Sequence, residues 1–298
     1  MAVNYRRARA RTRSARSRDD VRAACPAAEI VVFENNSTDR SAAIAAEKSV
    51  RVVRVNRQGK GNVVRAMLKR VEADVYVMLD ADATYPAARI PDLMRPVRDG
   101  SSDMVVGARL GSPEAGAFRR FHHTGNLVLC RLIGLIWGAR LTDVLSGYRA
   151  FTAEVARILP VVSSGFEVET EMTVQALFYN MTISEVDIEY RARPEGSLSK
   201  LRSYRDGFAI FLQVVHLLRA YKPLTTFGGL GLVCFGLALL IGLPVSLVPD
   251  LSRPAIAGVL AETLILLGAV LISTGLILHT LNFRVKELHS VITRRPGP

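Results

Sequence analysis

The sequence of 298 residues predicts an α/β domain whose mostly parallel sheet carries helices on both faces, followed by amphipathic helices and a two-helix transmembrane hairpin. Three observations predict this fold class. Short apolar runs that end in polar turns alternate with helical stretches. Two carboxylates, Asp80 and Asp82, follow one of these runs. Near the C-terminus, two long stretches are almost free of charge.

The first predicted units are strand, loop and helix in turn. The β-rich run 29–33 leads into a polar cluster at 35–39, after which a helix is predicted over 41–48. A strand at 50–55 is followed by a glycine-rich turn that opens a helix, together covering 59–71. Alternating strands and helices of this length favour a parallel sheet with helices packed on it.

The next predicted strand ends at the two aspartates. Residues 76–79 are apolar, and a helix near 90–98 and a strand at 103–109 come after the acids. In parallel sheets, ligands bind beyond the carboxyl ends of the strands. This rule brings three segments around one crevice: 35–39, 80–84 and 107–109.

Asp80 and Asp82 indicate a cation site. They do not help the strand to fold, because two like charges this close repel each other and each carboxylate resists leaving water. Mg²⁺ and Mn²⁺ prefer hard oxygen ligands, so we expect a divalent cation at this position. The alternative is a solvated acidic turn.

The C-terminal stretches predict a membrane hairpin. Residues 224–248 carry no charge, and residues 255–282 carry only Glu262. At a rise of about 1.5 Å per residue, either stretch crosses a hydrocarbon core of about 30 Å, which favours lipid over a pair of buried core helices. The turn at 249–254 is short, so both outer flanks share one side of the membrane. These flanks are basic, which predicts that they and the N-terminal domain are cytoplasmic.

Charge and cysteine content argue against two other classes of protein. The net charge is +12, but the basic residues cluster beside the apolar stretches and in the first 18 residues. No basic motif interleaved with aromatic residues occurs, so an anionic membrane surface is favoured over nucleic acid as a partner. Cys25, Cys130 and Cys234 are far apart and form no CxxC pair, so neither a disulfide framework nor a zinc site is predicted.

Seven motifs occur in order along about residues 20–222: NNSTDRS, GKGNVVRAML, DADATYP, VVGAR, LTDVLSGYRAF, GFEVETEM and YRARPEGSLSKLRSYRDG. With the terminal hairpin, they resemble the membrane-associated GT-A glycosyltransferases of family 2, in particular the dolichyl-phosphate mannosyltransferase and bactoprenyl-phosphate glucosyltransferase branch. The resemblance implies a GT-A, Rossmann-like catalytic domain. The expected boundaries are an Arg-rich, disordered start at 1–19, the catalytic domain at 20–200, a juxtamembrane amphipathic helix at 201–222, the hairpin at 223–283 and a basic cytoplasmic tail at 284–298.

The resemblance also implies a reaction. A hexose would pass, with inversion, from a nucleotide sugar of the GDP-mannose or UDP-glucose type to a polyprenyl phosphate at the cytoplasmic membrane face. Mg²⁺ or Mn²⁺ would neutralise the charge of the leaving diphosphate. A lipid phosphate is already largely ionised at neutral pH, so positioning and charge neutralisation would dominate the catalysis. The oligomeric state stays open, a homo-oligomer included.

The resemblance further assigns residues to four roles. The implied metal ligands are Asp80, Asp82 and Thr84. The implied catalytic residues are Asp80, Asp82, Asp143 and Arg109. The implied nucleotide-binding residues are Asn36, Ser37, Asp39, Gly59, Lys60, Gly61 and Asp80. The residues implied for phosphate or acceptor binding are Arg119, Arg120, Ser146, Arg149, Arg193, Ser197, Lys200 and Arg202. For the last four, a juxtamembrane patch that binds anionic lipid is the alternative.

Two further patterns concern the surroundings of the pocket. Glu167, Glu169 and Glu171 alternate strictly, which would aim them to one face of an extended segment, whereas on a helix they would splay apart. The stretches 203–221 and 119–138 alternate polar and apolar groups at helical spacing, as is typical of helices that lie in the membrane interface.

The chain departs from the family pattern at its start. No apolar run of four residues precedes Val21, so the first strand of the family's sheet is expected to be missing, and Glu34 stands where the family motif has Asp. A sheet rarely tolerates the loss of a central strand. Either the start of the sequence is misassigned or the protein has diverged, and the latter motivates a second hypothesis, a catalytically impaired membrane adaptor that keeps the fold. A processive polysaccharide synthase is disfavoured, because the QxxRW motif is missing and two spans are few for a channel.

Overall fold

The computed structural model describes residues 2–5, 13–36, 50–80, 84–110, 117–189, 203–247 and 254–293. The chain divides into two compact units, Met1–Val214 and Val215–Pro298. We describe each unit by itself.

The first unit contains a sheet and the helices packed on it. Its strands are β1 (Ala2–Tyr5), β2 (Val31–Glu34), β3 (Arg51–Arg54), β4 (Val75–Asp80), β5 (Met104–Leu110), β6 (Arg149–Thr152) and β7 (Ile183–Glu189). Its described helices are α1 (Arg13–Ala24), α2 (Lys60–Arg70), α3 (Ile90–Arg98), α4 (Ala117–Trp137), α5 (Ala153–Ile158) and α6 (Val168–Phe178). Helix α7 (Ser203–Tyr221) contains the boundary between the two units in sequence.

The seven strands form one sheet in the order β3-β2-β1-β4-β6-β5-β7. Strand β6 pairs antiparallel with both β4 and β5, whereas the other described pairs are parallel. Every strand except β6 therefore points the same way, and the carboxyl ends of β2, β4 and β5 meet at one edge of the sheet. The predicted fold class, a mostly parallel sheet with helices packed on it, is confirmed.

The start of the chain corrects two expectations. Residues Ala2–Tyr5 form a strand between β2 and β4, so the first strand, expected to be missing, is present. The expectation failed because it required an apolar run, whereas a four-residue central strand is held by backbone hydrogen bonds on both edges. In addition, α1 begins at Arg13, inside the stretch 1–19 that was expected to be disordered, and its Val21 is fully buried. The helix expected at 41–48 lies outside the described residues.

The core has one apolar layer on each face of the sheet. On β4, Tyr76 and Met78 belong to one layer, and Val77 and Leu79 belong to the other. Because both faces are covered, residues 75–79 of this strand are apolar without interruption rather than at alternate positions. The apolar run therefore ends only where the strand reaches the sheet edge, at Asp80.

The second unit contains two apolar helices. A short π-helical segment, Leu224–Gly228, leads into α8 (Gly229–Leu247), and α9 (Pro254–Thr293) follows. Two stretches, Leu224–Pro244 and Ala255–Leu288, are long and apolar enough to cross a membrane, and the most apolar part of each is largely exposed rather than buried within the protein. Exposed apolar helices of this length fit lipid better than a soluble core.

The two helices approach each other closely at glycines. A Cβ on Gly231 would lie 2.8 Å from the carbonyl oxygen of Gly268, and a Cβ on Gly268 would lie 2.9 Å from the carbonyl oxygen of Gly231. Small residues that allow backbones to approach are the usual means of packing helices in a bilayer. By contrast, a Cβ on Gly236 would meet nothing within 4 Å.

We therefore expect a Gly231→Ala variant to destabilise the hairpin by about 1–3 kcal/mol, as overpacking in a tight contact does. The matched Gly236→Ala variant should melt at the wild-type temperature or slightly above it. Far-UV circular dichroism of the full chain in detergent micelles measures both. Equal melting temperatures for the two variants would show that the glycine contact does not hold the helices together.

Candidate active site

The candidate site lies at the edge where β2, β4 and β5 end. Asp80 is the last residue of β4, and its side chain is 28% exposed, so its carboxylate is accessible from this edge. Asp82, the second acid of the motif, lies outside the described residues, as do Ser37 and Asp39. Thr84, proposed as a metal ligand, is described and almost fully buried.

Behind Asp80 stands the buried ammonium group of Lys60, the first residue of α2. Its Nζ atom is 2.9 Å from each carboxylate oxygen of Asp80 and also contacts Oε1 of Glu169. Burial by itself would lower the pKa of Lys60, but the Asp80 and Glu169 carboxylates outweigh burial and raise the pKa above its ordinary value. Lys60 is therefore a firmly protonated cation between two carboxylates, one accessible and one buried.

The loop after β2 is fixed by Asn35, which belongs to the predicted crevice segment 35–39 but was given no role of its own from the sequence. Asn35 is buried; its Nδ2 atom donates to the carbonyls of Val55, at 2.8 Å, and Arg57, at 2.6 Å, while its Oδ1 accepts from the amide of Gly59 at 2.8 Å. Its position just after a buried strand was the available signal. The neighbouring Asn36, predicted to bind nucleotide, has a left-handed φ of 52°.

Gly59 and Gly61 serve a close approach of two backbones. A Cβ on Gly59 would overlap the carbonyl oxygen of Ser164, and a Cβ on Gly61 would overlap that of Ser163. Gly59 also has a φ of 133°, a backbone conformation that residues other than glycine rarely adopt. The amide of Gly61 donates to the Ser164 carbonyl at 3.1 Å. The glycines, predicted to let backbone approach a nucleotide, thus have a demonstrable reason in packing against the loop 163–165.

Arg109 and Asp143, both predicted as catalytic, are brought together. Arg109 donates from Nε to Oδ2 of Asp143 at 2.6 Å and from Nη2 to Oδ1 at 2.9 Å. The Asp143 carboxylate is almost fully buried, whereas the Arg109 side chain is 27% exposed. This two-pronged pair is the strong form of an arginine–carboxylate contact. It holds the guanidinium in place at the carboxyl end of β5.

The loop that carries Asp143 is held from β7 by Glu185, a residue that sequence reasoning missed. The Glu185 carboxylate accepts from the amide and hydroxyl of Thr142, at 2.9 and 2.7 Å, and from the amide of Asp143, at 3.0 Å. A single glutamate outside any recognised motif gives no signal of such a role in the sequence.

Ser146 and Arg149, predicted to bind phosphate, make internal contacts instead. The Ser146 hydroxyl donates to the carbonyl of Gly107 at 2.6 Å. Arg149 is fully buried and donates to the carbonyls of Ser146 and Val144, each at 3.0 Å, and to the hydroxyl of Thr173 at 2.9 Å. Burial lowers the pKa of Arg149. The geometry therefore makes Arg149 a support beneath the site rather than a donor at its surface.

The three glutamates of the GFEVETEM motif correct a further expectation. They were predicted to share one face of an extended segment, but Glu169 and Glu171 lie in the first turn of α6 and Glu167 precedes it. On a helix, every second residue points to a nearly opposite side. Glu167 accepts from the amide of Gly165 at 3.0 Å, and Glu171 accepts from the amides of Val162 and Ser163, at 3.0 and 2.9 Å. Of the three carboxylates, that of Glu169 contacts Lys60.

The remaining predicted contacts stay predictions. The structure does not describe the side chains of Arg119, Arg120, Arg193, Ser197, Lys200 and Arg202. Within the described ranges, no three of the His, Cys, Asp and Glu side chains gather as a metal site would require. Asp80 nevertheless presents a hard, accessible carboxylate of the kind that a divalent cation prefers, so the described part of the site fits such a cation.

Comparison with solved structures identifies the fold. The glucosyl-3-phosphoglycerate synthase of Mycobacterium tuberculosis, solved in complex with Mn²⁺, uridine diphosphate and phosphoglyceric acid, is similar with a TM-score of 0.56 and 21% sequence identity, over 74% of this chain and 77% of that chain. At this identity the similarity shows the fold, which is GT-A.

The family follows from the sequence comparisons. The profile described as Glycosyl transferase family 2 matches residues 11–158. Glycosyltransferase AglJ of Haloferax volcanii is 33% identical over 271 residues, which cover 88% of this chain and 89% of that protein. The dolichyl-phosphate hexose transferase of the same organism is 30% identical over 185 residues, 62% of this chain and 79% of that protein. The chain belongs to glycosyl transferase family 2 and is a glycosyltransferase, which confirms the resemblance carried by its motifs.

Proposed function

We propose that the chain transfers a hexose from a nucleotide sugar to a polyprenyl phosphate, with inversion, at the cytoplasmic face of a membrane. The observation that carries this proposal is the placement of Asp80: an accessible carboxylate at the end of the central strand β4, on the same sheet edge as the Arg109–Asp143 pair. The name of the related dolichyl-phosphate hexose transferase supports a lipid phosphate as acceptor.

The donor would lie over the carboxyl ends of β2 and β4. Asn35 fixes the loop that follows β2, and Asn36 continues it toward the proposed nucleotide contacts at Ser37 and Asp39. Asp80 and Asp82 would hold Mg²⁺ or Mn²⁺. That cation would supply charge neutralisation for the leaving diphosphate. The structurally similar synthase was solved in complex with Mn²⁺ and uridine diphosphate, which supports this cofactor class.

The acceptor would be presented from the membrane. Its phosphate is already largely ionised at neutral pH, so the protein needs to orient it and balance charge rather than remove a proton. The guanidinium of Arg109, fixed by Asp143 and still 27% exposed, is suited to bind a phosphate oxygen. The hairpin of the second unit would keep the chain at the bilayer where such lipids reside.

The membrane topology we propose has both ends of the hairpin in the cytoplasm. Lys222 precedes the first apolar stretch, and Arg284 and Lys286 lie toward the end of the second. Positive residues at the ends of spans remain preferentially on the cytoplasmic side. The domain before Lys222 would then face the cytoplasmic pool of nucleotide sugars.

The experiment that tests this function is a transfer assay with the purified full chain. Incubation with UDP-glucose or GDP-mannose, Mn²⁺ and polyprenyl phosphate should yield a lipid-linked monosaccharide. An Asp82→Ala variant should form at least about 100-fold less product, since loss of charge stabilisation at a leaving group costs factors of this size. An Asp99→Asn variant, changed on an exposed surface, serves as the control. Undiminished product from the Asp82→Ala variant would refute the metal role.

The adaptor hypothesis is not favoured. It was motivated by the missing first strand, and that strand is present as β1 between β2 and β4.

A further inference from the structure

Lys60, Asp80 and Glu169 form a cluster of charged groups that is more buried than an ordinary surface ion pair. The Lys60 side chain is 6% exposed and the Glu169 side chain 3% exposed, so both charges are withdrawn from water. Lys60 is also the first residue of α2, where the helix dipole disfavours a cation. A buried ammonium in such a place is tolerated only with close carboxylate partners. The cluster therefore depends on both acids.

The loop before β6 also lies against the cluster, and it does so at a glycine. A Cβ on Gly147, in the loop before β6, would lie 2.7 Å from Nζ of Lys60, 3.1 Å from Oδ2 of Asp80 and 3.3 Å from Oε1 of Glu169. Any larger residue would have to displace the charged groups. The ends of α2, β4 and α6 and this loop thus converge on one point directly behind the accessible carboxylate.

The two carboxylates differ in how many of their oxygen atoms accept a hydrogen bond. Both oxygens of Asp80 are bound by Lys60, but Oε2 of Glu169 is buried and has no hydrogen-bond partner among the residues that the structure describes. An ammonium group has three N–H donors that can turn toward either acid. A buried acceptor with spare capacity beside this ammonium can therefore receive it when Asp80 binds something else.

We propose that Lys60 and Glu169 act as a positioning pair for Asp80. In the absence of a cation, Lys60 orients the Asp80 carboxylate at the sheet edge. When Asp80 turns to a divalent cation, the Lys60 ammonium shifts its hydrogen bonds to the free oxygen of Glu169 and stays neutralised. This inference rests on the metal-dependent transfer proposed above, and it assigns Lys60 a role behind the site instead of direct contact with the nucleotide.

The test is Mn²⁺ binding to the full chain in detergent, followed by electron paramagnetic resonance, with UDP in one series and GDP in another. A Glu169→Gln variant keeps the shape of the side chain but leaves Lys60 dependent on Asp80, so the Kd for Mn²⁺ should rise about tenfold. In the double variant Lys60→Met, Glu169→Gln, nothing competes for Asp80, and the Kd should return to within about threefold of the wild-type value.

The melting temperature, recorded for the same samples, separates positioning from a merely structural role: we expect weaker Mn²⁺ binding by Glu169→Gln without a fall in melting temperature, because removing Lys60 with its buried partner would also repair a folding defect. Glu154→Gln, on an exposed part of α5, is the control and should bind Mn²⁺ as the wild-type protein does. Wild-type affinity in the Glu169→Gln variant, or a double variant as weak as the single one, would overturn the positioning pair alone. A wild-type protein that binds no Mn²⁺ in either series would overturn the proposed metal dependence and, with it, this inference.

Discussion

An Asp143→Asn variant is expected to transfer sugar at least about 100-fold more slowly than the wild-type protein. Asp143 accepts two charge-assisted hydrogen bonds from the Arg109 guanidinium, at 2.6 and 2.9 Å, and one from the Leu145 amide, at 3.1 Å. Hydrogen bonds to charged groups are worth about 1.5–3 kcal/mol each. The NH₂ group of an asparagine would replace one acceptor oxygen and face an N–H donor of Arg109. Arg109 would then lose the fixed orientation that the proposed phosphate contact requires.

The measurement is the initial rate of lipid-linked product formation at saturating nucleotide sugar, with the melting temperature recorded for the same samples. Asp99→Asn, on the exposed surface at the end of α3, is the matched control. If the Asp143→Asn variant keeps the wild-type rate, Arg109 is positioned by other contacts and the pair has no catalytic role.

The fold could be predicted from the sequence where a segment has surroundings of one polarity along its whole length. Strand β4 is covered on both faces, so residues 76–79 are apolar without interruption, and the change to acid at Asp80 marks where it emerges. The hairpin was readable for the same reason, because lipid imposes one polarity on a long stretch. Strand β1 could not be predicted, because its four residues are held by backbone pairing with β2 and β4 and show no apolar pattern.

The site was readable only in part, because the chemistry of a residue type does not reveal its partner. The sequence brought Asp80 and Arg109 to one sheet edge, and the structure places them there, with Asp143, implied as catalytic by the resemblance, paired to Arg109. It could not show that Glu169 pairs with Lys60, since residues 109 positions apart in the chain meet only through the packing of α2 against α6. An isolated arginine in a motif likewise does not reveal whether it faces solvent or the core.

The second large effect concerns Arg149. An Arg149→Met variant is expected to lose about 3–5 kcal/mol of folding free energy, the range found when one member of a buried charged network is removed. Arg149 is fully buried, and its guanidinium satisfies the Val144 and Ser146 carbonyls and the Thr173 hydroxyl. Methionine fills a similar volume but donates nothing, so these groups would be left buried without that donor. A lysine at the same position would not reproduce the fork that reaches all three.

Thermal unfolding of the full chain in detergent distinguishes this support role from the phosphate-binding role that the sequence predicted for Arg149. A support beneath the site should lower the melting temperature by at least about 6 °C, from the usual relation between free energy and melting temperature for a domain of this size. The exposed Arg98→Met variant should melt within about 1 °C of the wild-type protein, since surface substitutions change stability little. A phosphate-binding arginine would give the opposite result, an Arg149→Met protein that melts normally but transfers sugar slowly. Because the guanidinium is enclosed by Val144, Ser146 and Thr173, we expect the loss of stability, with any loss of activity following from it.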